Sequence, residues 1–347
     1  MRNDWVGSRH AGVMGAVGHR PTSAPRWIRP LVVAVLALAG IFLAAPWAGA
    51  SKPKPTTWTQ LDPTTSPSPR GGSSMAFDPA TGQLILFGGA SPSGTALDDT
   101  WEWNGSVWTE LTPADSPSAR AGAPMAYDAA TGQLLLFGGA TAAASYANDT
   151  WDWTGTTWTQ LTLPTNPPVA FEASMAYDTA TGQLLLVEDN CVTITTWAWS
   201  GTAWTHLHPA TSPSVRCGTS MAYDPTTDQL VLVGGQRAAN YLNDTWVWSG
   251  ATWTHLHPAA GPAQLGYGTL AVDPATGLLV LSGGYNGTTA LDKTWTWNGT
   301  TWTKQPVASS PLPQYFASAA ADPATDQLVL FGGYNGSSYF SATWIHG

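Results

Sequence analysis

An all-β fold of tandem four-stranded sheets is predicted by three features of the 347-residue sequence. The chain repeats itself every 46 to 50 residues, it is rich in turn formers and poor in charge, and the same two-residue turn signal returns in most copies. Only 10% of residues are charged, while Gly (36), Pro (27) and Trp (20) are abundant. Many short strands joined by tight turns need that composition, and long helices do not. The repeat is marked by a T/V/A-Trp-Thr strand at Trp58, Trp108, Trp158, Trp204, Trp253 and Trp302. A period near 50 residues carrying four short β signals describes a blade of a β-propeller, here with six blades.

Each copy reads as strands a to d. Strand a ends at an aspartate, Asp78, Asp128, Asp178, Asp224, Asp273 or Asp322. There a D-x-x-T-G/D turn lets the carboxylate accept backbone N–H groups. Strand b is an apolar run such as "QLILF", continuous because both of its faces are buried, and a Gly-Gly pair ends it. Strand c carries Trp-x-Trp eleven or twelve residues on, as in Trp101/Trp103 and Trp295/Trp297. Alternation along a strand puts both indoles on one face. A two-residue turn, Asn104-Gly105 or its equivalent, leads into strand d and the marker Trp. Tryptophans that recur at equivalent places in every copy are expected to pack blade against blade.

Apolar strand, Gly-Gly, spacer and aromatic pair, in copies of about 50 residues, resemble the Kelch repeat. Arg70, Arg120 and Arg216 match the family's usual lead-in to strand a, and the resemblance covers residues 57–347. It implies a propeller used as a binding scaffold. One Kelch branch forms the central domain of the galactose oxidases, so the resemblance also raises a sugar oxidase. The first copy begins at its strand d, Thr56 to Leu61, and the last copy stops after strand c. The orphan N-terminal strand is therefore expected to complete the sixth blade, which leaves no open edge.

Residues 1–50 read as a secretory signal or an N-terminal membrane anchor, and residues 51–347 as one propeller domain. Arg20, Arg26 and Arg29 precede the apolar run Leu31 to Ala45, and Ala48-Gly49-Ala50 offers a small-residue cleavage site. Either way residues 51–347 are exported, and the protein is expected to be secreted or held at the cell surface. The first fifty residues hold five Arg and one Asp, which leaves 8 Lys/Arg against 21 Asp/Glu, a net charge of −13, beyond them. Such a balance disfavours nucleic acid as a partner, and a membrane only enters if the leader is retained.

The two cysteines, Cys191 after strand b of the third blade and Cys217 at the start of strand a of the fourth, lie on one rim of neighbouring blades. In an exported chain they are expected to form a disulfide. The third blade breaks the pattern with Glu188-Asp189 in place of Gly-Gly, Ala170 in place of the Arg, and Glu172 two residues later. Those acids are expected on the b–c rim, where they are solvated, paired with the Arg set or receiving a cationic ligand. Arg70, Arg120 and Arg216 stand near the channel mouth, where they would hold either an anionic ligand or their own loops. The rim also carries Tyr241, Tyr285 and Tyr334, together with Tyr146 and Tyr339. His206/His208 and His255/His257 sit at the ends of strands d, far from the channel, and are read as structural.

Nothing in the sequence forms a nucleophile constellation or a phosphate-cradling loop, so no catalytic residue, metal ligand or cofactor is assigned. The first reading is a non-enzymatic module that binds a protein or polysaccharide of the cell envelope on the b–c/d–a rim, where loops vary most. The second is a carbohydrate-active enzyme such as a galactose-oxidase-like sugar oxidase. The fold alone does not carry that activity over.

Overall fold

The computed structural model describes residues 57–141, 145–169, 171–306 and 310–347. The leader expected over residues 1–50, and Ala170, lie outside them. Among the described residues there is no helix; six four-stranded antiparallel blades form a β-propeller. The first blade shows the plan. Ser74–Asp78 pairs with Gln83–Ala90, then come Ala96–Trp103 and Trp108–Leu111, from the channel outward. Strand b is buried along almost its whole length, which is why its apolar run does not alternate.

The ring closes as the repeat phase requires. Trp58–Leu61 is the outer strand of the sixth blade, antiparallel to Thr343–His346, with Trp58 opposite His346 and Leu61 opposite Thr343. Apolar burial is divided into six cores, one between each pair of neighbouring blades. Met75, Leu84, Leu86, Trp103 and Trp108 of the first blade pack on Ala320, Val329 and Phe331 of the sixth, and the other interfaces repeat the scheme. No blade has a core of its own, so each is stable only between its neighbours.

Three circles of hydrogen bonds run around these interfaces. In the outermost, each marker Trp donates its indole N–H to the threonine before the Trp-x-Trp pair of the preceding blade. Trp108 bonds Thr343, Trp158 bonds Thr100, Trp204 bonds Thr150, Trp253 bonds Thr196, Trp302 bonds Thr245 and Trp58 bonds Thr294, all at 2.9–3.0 Å. The tryptophans are thus structural, each satisfying a buried N–H that would otherwise cost stability. Further in, the hydroxyls that open strand a, such as Ser220, Thr269 and Ser318, donate to backbone carbonyls of the following blade at 2.7–2.8 Å. The aspartate turns hold as predicted: Asp78 accepts the Ala80 N–H and the Thr81 hydroxyl, and all six aspartates are buried.

The innermost circle is backbone to backbone. The residue two after the Arg position is left-handed in every blade: Gly72, Gly122, Glu172, Gly218, Tyr267 and Phe316. Gly72 donates to Phe316, Gly122 to Gly72, Glu172 to Gly122, Tyr267 to Gly218 and Phe316 to Tyr267, at 2.7–3.1 Å. Five of the six steps are closed in this way. At the remaining step, from the third blade to the fourth, the chain is joined covalently: Cys191 and Cys217 form a disulfide, with their Cα atoms 4.7 Å apart. A cross-link closing 26 residues of sequence contributes about 3 kcal/mol on chain-entropy grounds.

Candidate functional site

The left-handed circle surrounds the mouth of the channel, and its side chains decide what the mouth presents. A glycine is at ease with φ near +65°, whereas a side chain at that angle costs on the order of 1–3 kcal/mol. Three blades meet the requirement with Gly72, Gly122 and Gly218. The others place Glu172 (φ 66°), Tyr267 (φ 59°) and Phe316 (φ 59°) there. Gly218 is needed for the same reason from the other side, because the Tyr267 ring lies where its Cβ would stand. Phe171 covers Gly122 likewise, at 2.7 Å. The mouth is therefore floored by glycine and walled by large side chains.

Around it runs a continuous aromatic belt over the fourth, fifth and sixth blades. Ring centroids are separated by 5.6 Å from Tyr241 to Tyr285, 5.0 Å from Tyr285 to Tyr315, 5.4 Å from Tyr315 to Tyr334 and 4.4 Å from Tyr334 to Tyr339. Tyr267 joins it through Phe316 at 4.8 Å. The belt rests on backbone pairing between b–c loops and d–a connections, Gly266 with Tyr285 and Tyr315 with Tyr334. Tyr285 and Tyr334, expected on this rim, are partly exposed there. Tyr241 is a correction, since only 8% of it is exposed. Its hydroxyl bonds the Gln236 side chain at 3.1 Å, which the Tyr267 hydroxyl shares at 2.8 Å.

Of the two roles open to the arginines, ligand binding and holding their own loops, the second is what the hydrogen bonds show, and none of the three guanidinium groups is free. Arg70, Arg120 and Arg216 are each 1% exposed. Arg120 grips Asp149 with both terminal nitrogens (2.6 and 3.0 Å) and also donates to the Gly138 carbonyl and to the carbonyl and hydroxyl of Ser118. All five donors are occupied, and Arg70 with Asp99 and Arg216 with Asp244 repeat the arrangement. Burial tends to push the three aspartates up, but the hydrogen bonds and charge of their arginines outweigh it and hold them below the usual carboxylate range.

The acids of the third blade also differ from expectation. Glu188 and Asp189 are both fully buried rather than solvated. With no left-handed Gly-Gly, strand b runs on unbulged to the pairs Glu188–Thr195 and Asp189–Ile194, and its side chains turn into the protein. Glu188 accepts from Asn190 (2.7 Å) and Thr195 (2.9 Å). One Asp189 oxygen accepts the Thr219 N–H (2.9 Å) and hydroxyl, while the other has no partner. Burial drives the Asp189 carboxyl well above its ordinary value, against those bonds and the charge of Arg216. Glu172, partly exposed in the mouth, is raised as well, first by burial and then by the charge of Asp189. Among the described residues no hydrogen bond or ion pair reaches the Glu172 carboxyl. Between the folded and unfolded pKa values of these two acids, the folded state holds more protons than the unfolded one. Stability therefore falls as pH rises from about 4 upward. The arginine-bound aspartates act in the opposite sense, and their contribution is lost as pH falls below about 4. Urea midpoints measured across pH should accordingly peak in mild acid, and Asp189→Asn with Glu172→Gln should flatten the alkaline limb alone. A limb that persists in this variant would assign it to other groups.

The histidine pairs lie away from the mouth, His206 stacked on Trp197 and His255 on Trp246 at 4.7 Å, each touching its partner histidine at 4.2 Å. Sequence reasoning passed over Phe171, Tyr267, Tyr315 and Phe316. The signal was present, since aligning the copies on the Arg position gives a glycine column interrupted by Glu172, Tyr267 and Phe316. No protein-family model matches the chain, and no curated protein is similar to it. Among solved structures it is similar to one entitled "Structure of YjhT", at 14% identity and a TM-score of 0.60, over 81% of this chain and 95% of that one. At that identity the likeness concerns the fold.

Proposed function

We propose that the protein is an exported Kelch-type propeller that binds a glycan across the channel-mouth face, as a binding module and not as a sugar oxidase. The observation that carries this reading is the aromatic belt. Six tyrosines and a phenylalanine in contact on one rim, most of them partly exposed, offer the flat apolar surface on which sugar rings stack, with hydroxyls at hand for their polar edges. The arginines add no charge to that surface, because each is neutralised inside its own blade. The oxidase reading needs a cysteine linked to tyrosine and two histidines beside it. Here both cysteines belong to the disulfide, and the histidine pairs lie on outer strands.

A glycan array probed with the protein tests the reading. Tyr285→Ala and Tyr334→Ala should each weaken the best glycan at least tenfold, about 1.4 kcal/mol, without loss of folding. Alanine variants that bind as the parent does, or an array without a specific signal, would refute it.

A further inference from the structure

Beside the belt, on the side of the mouth facing the third blade, lies a cavity of about 220 Å³ that the belt does not account for. Its walls include Tyr146, Phe171, Tyr267, Asn190 and the Cys191–Cys217 disulfide, and Glu172 stands among them. The rings of Tyr146 and Phe171 are 5.6 Å apart and partly stacked. Glu172 is the charged side chain of this lining, and its carboxyl has no hydrogen-bond or ion-pair partner among the described residues. Arg216, whose charge acts on Asp189 behind this cavity, is consumed by Asp244 and its own loop. Behind Glu172 stands a second carboxyl, Asp189, fully buried and with one oxygen unpartnered.

A cavity walled by aromatic faces, with a carboxyl at one end that a cation would hold ionised, is electrostatically suited to a compact cation. Ring faces and a carboxylate attract it together, and burial strengthens both attractions. Volume limits the guest to a single small group. Glu172 occupies a left-handed position that three other blades give to glycine and two to Tyr267 and Phe316, and strained positions of this kind cluster at ligand sites.

We propose that this cavity receives an alkylammonium group carried by the glycan, so that the ligand contains an amino sugar with a free amine. The inference rests on the glycan reading above for its carrier, but the cavity is tested separately. Calorimetry with the protein should show glucosamine oligomers binding at least tenfold more tightly than N-acetylglucosamine oligomers of equal length. Glu172→Gln should reduce that ratio to about one while keeping the weaker affinity. Glu172→Gly restores the residue of the other blades. It should melt at or above the parent's temperature and lose the same preference, which separates folding from recognition. Choline, examined by saturation-transfer NMR, reports on the cavity without any sugar. Choline binding that Glu172→Gln abolishes, with no oligomer bound, keeps the cavity and sinks the glycan reading. Equal affinity for the two oligomers, a preference that survives in folded Glu172→Gly, or no binding of choline or glucosamine overturns the cavity's assignment.

Discussion

Removing residues 51–62 should lower the stability of the propeller by at least about 5 kcal/mol, a fall of about 10 °C or more in melting temperature. The deletion takes away Trp58, 1% exposed, whose loss alone is worth about 3–5 kcal/mol for a side chain of that size. It also strips Thr343–His346 of its outer partner and leaves the Thr294 hydroxyl without the Trp58 indole. The edge of the sixth blade then moves from its short outer strand to Thr343–His346, one strand further in than in the other blades. Because every core is shared between two blades, damage at one interface is felt by both neighbours. Thr59→Ala and Gln60→Ala, on the exposed positions of the same strand, should change little and serve as the control. A deletion that melts within about one degree of the parent would mean that the sixth blade closes by other means.

The second large effect is expected at the buried ion pairs. Arg120→Ala should cost about 3 kcal/mol, because it leaves the Gly138 carbonyl without its side-chain donor and the partly buried Asp149 with the Trp151 indole alone. The sixth blade shows how the same place is built without charge, with Gln314 at the Arg position and Ala342 at that of the aspartate. Arg120→Gln combined with Asp149→Ala copies that solution and should recover most of the loss. In a urea-denaturation cycle the double variant is thus expected to be more stable than Arg120→Ala. Additive losses would show that the arginine acts through its packing and not through the pair.

The blade count, the closing strand and the disulfide were legible because each rests on repetition or on the phase of a repeat. Six marker tryptophans fix six blades, and a first copy that begins at strand d can only pair with a last copy that ends at strand c. The arginines were harder, since their meaning lies 28 or 29 residues downstream. Blades with Arg70, Arg120 and Arg216 have Asp99, Asp149 and Asp244, and those with Leu265 and Gln314 have Lys293 and Ala342. Read as a column of its own, the arginine suggests a ligand; read with its partner column, it is a loop clamp. Glu188 and Asp189 were expected on the b–c rim, solvated, paired with the arginines or open to a cation, because they stand where the loop begins in the other blades. Replacing glycines that alone tolerate the bulge instead lengthened the strand and turned both acids inward. The mouth was least legible, because it is assembled from one residue per blade, and no local pattern marks Tyr267, Phe316 and Glu172 as neighbours.

The outer strand of the sixth blade has a consequence in time. Trp58 emerges from the ribosome first among the propeller's tryptophans, yet its indole binds Thr294, 236 residues later, and its strand lies on the last residues of the chain. The earliest strand is therefore the last to be placed. Blades one to five can be laid down in the order of their synthesis, but the circle cannot be completed until Thr343–His346 is free to pair. Contacts of such separation are slow to form. For that interval a strand with an apolar marker and an unpaired edge must wait without pairing to another chain. Its brevity, four residues with two exposed polar ones at Thr59 and Gln60, keeps that waiting edge a poor template.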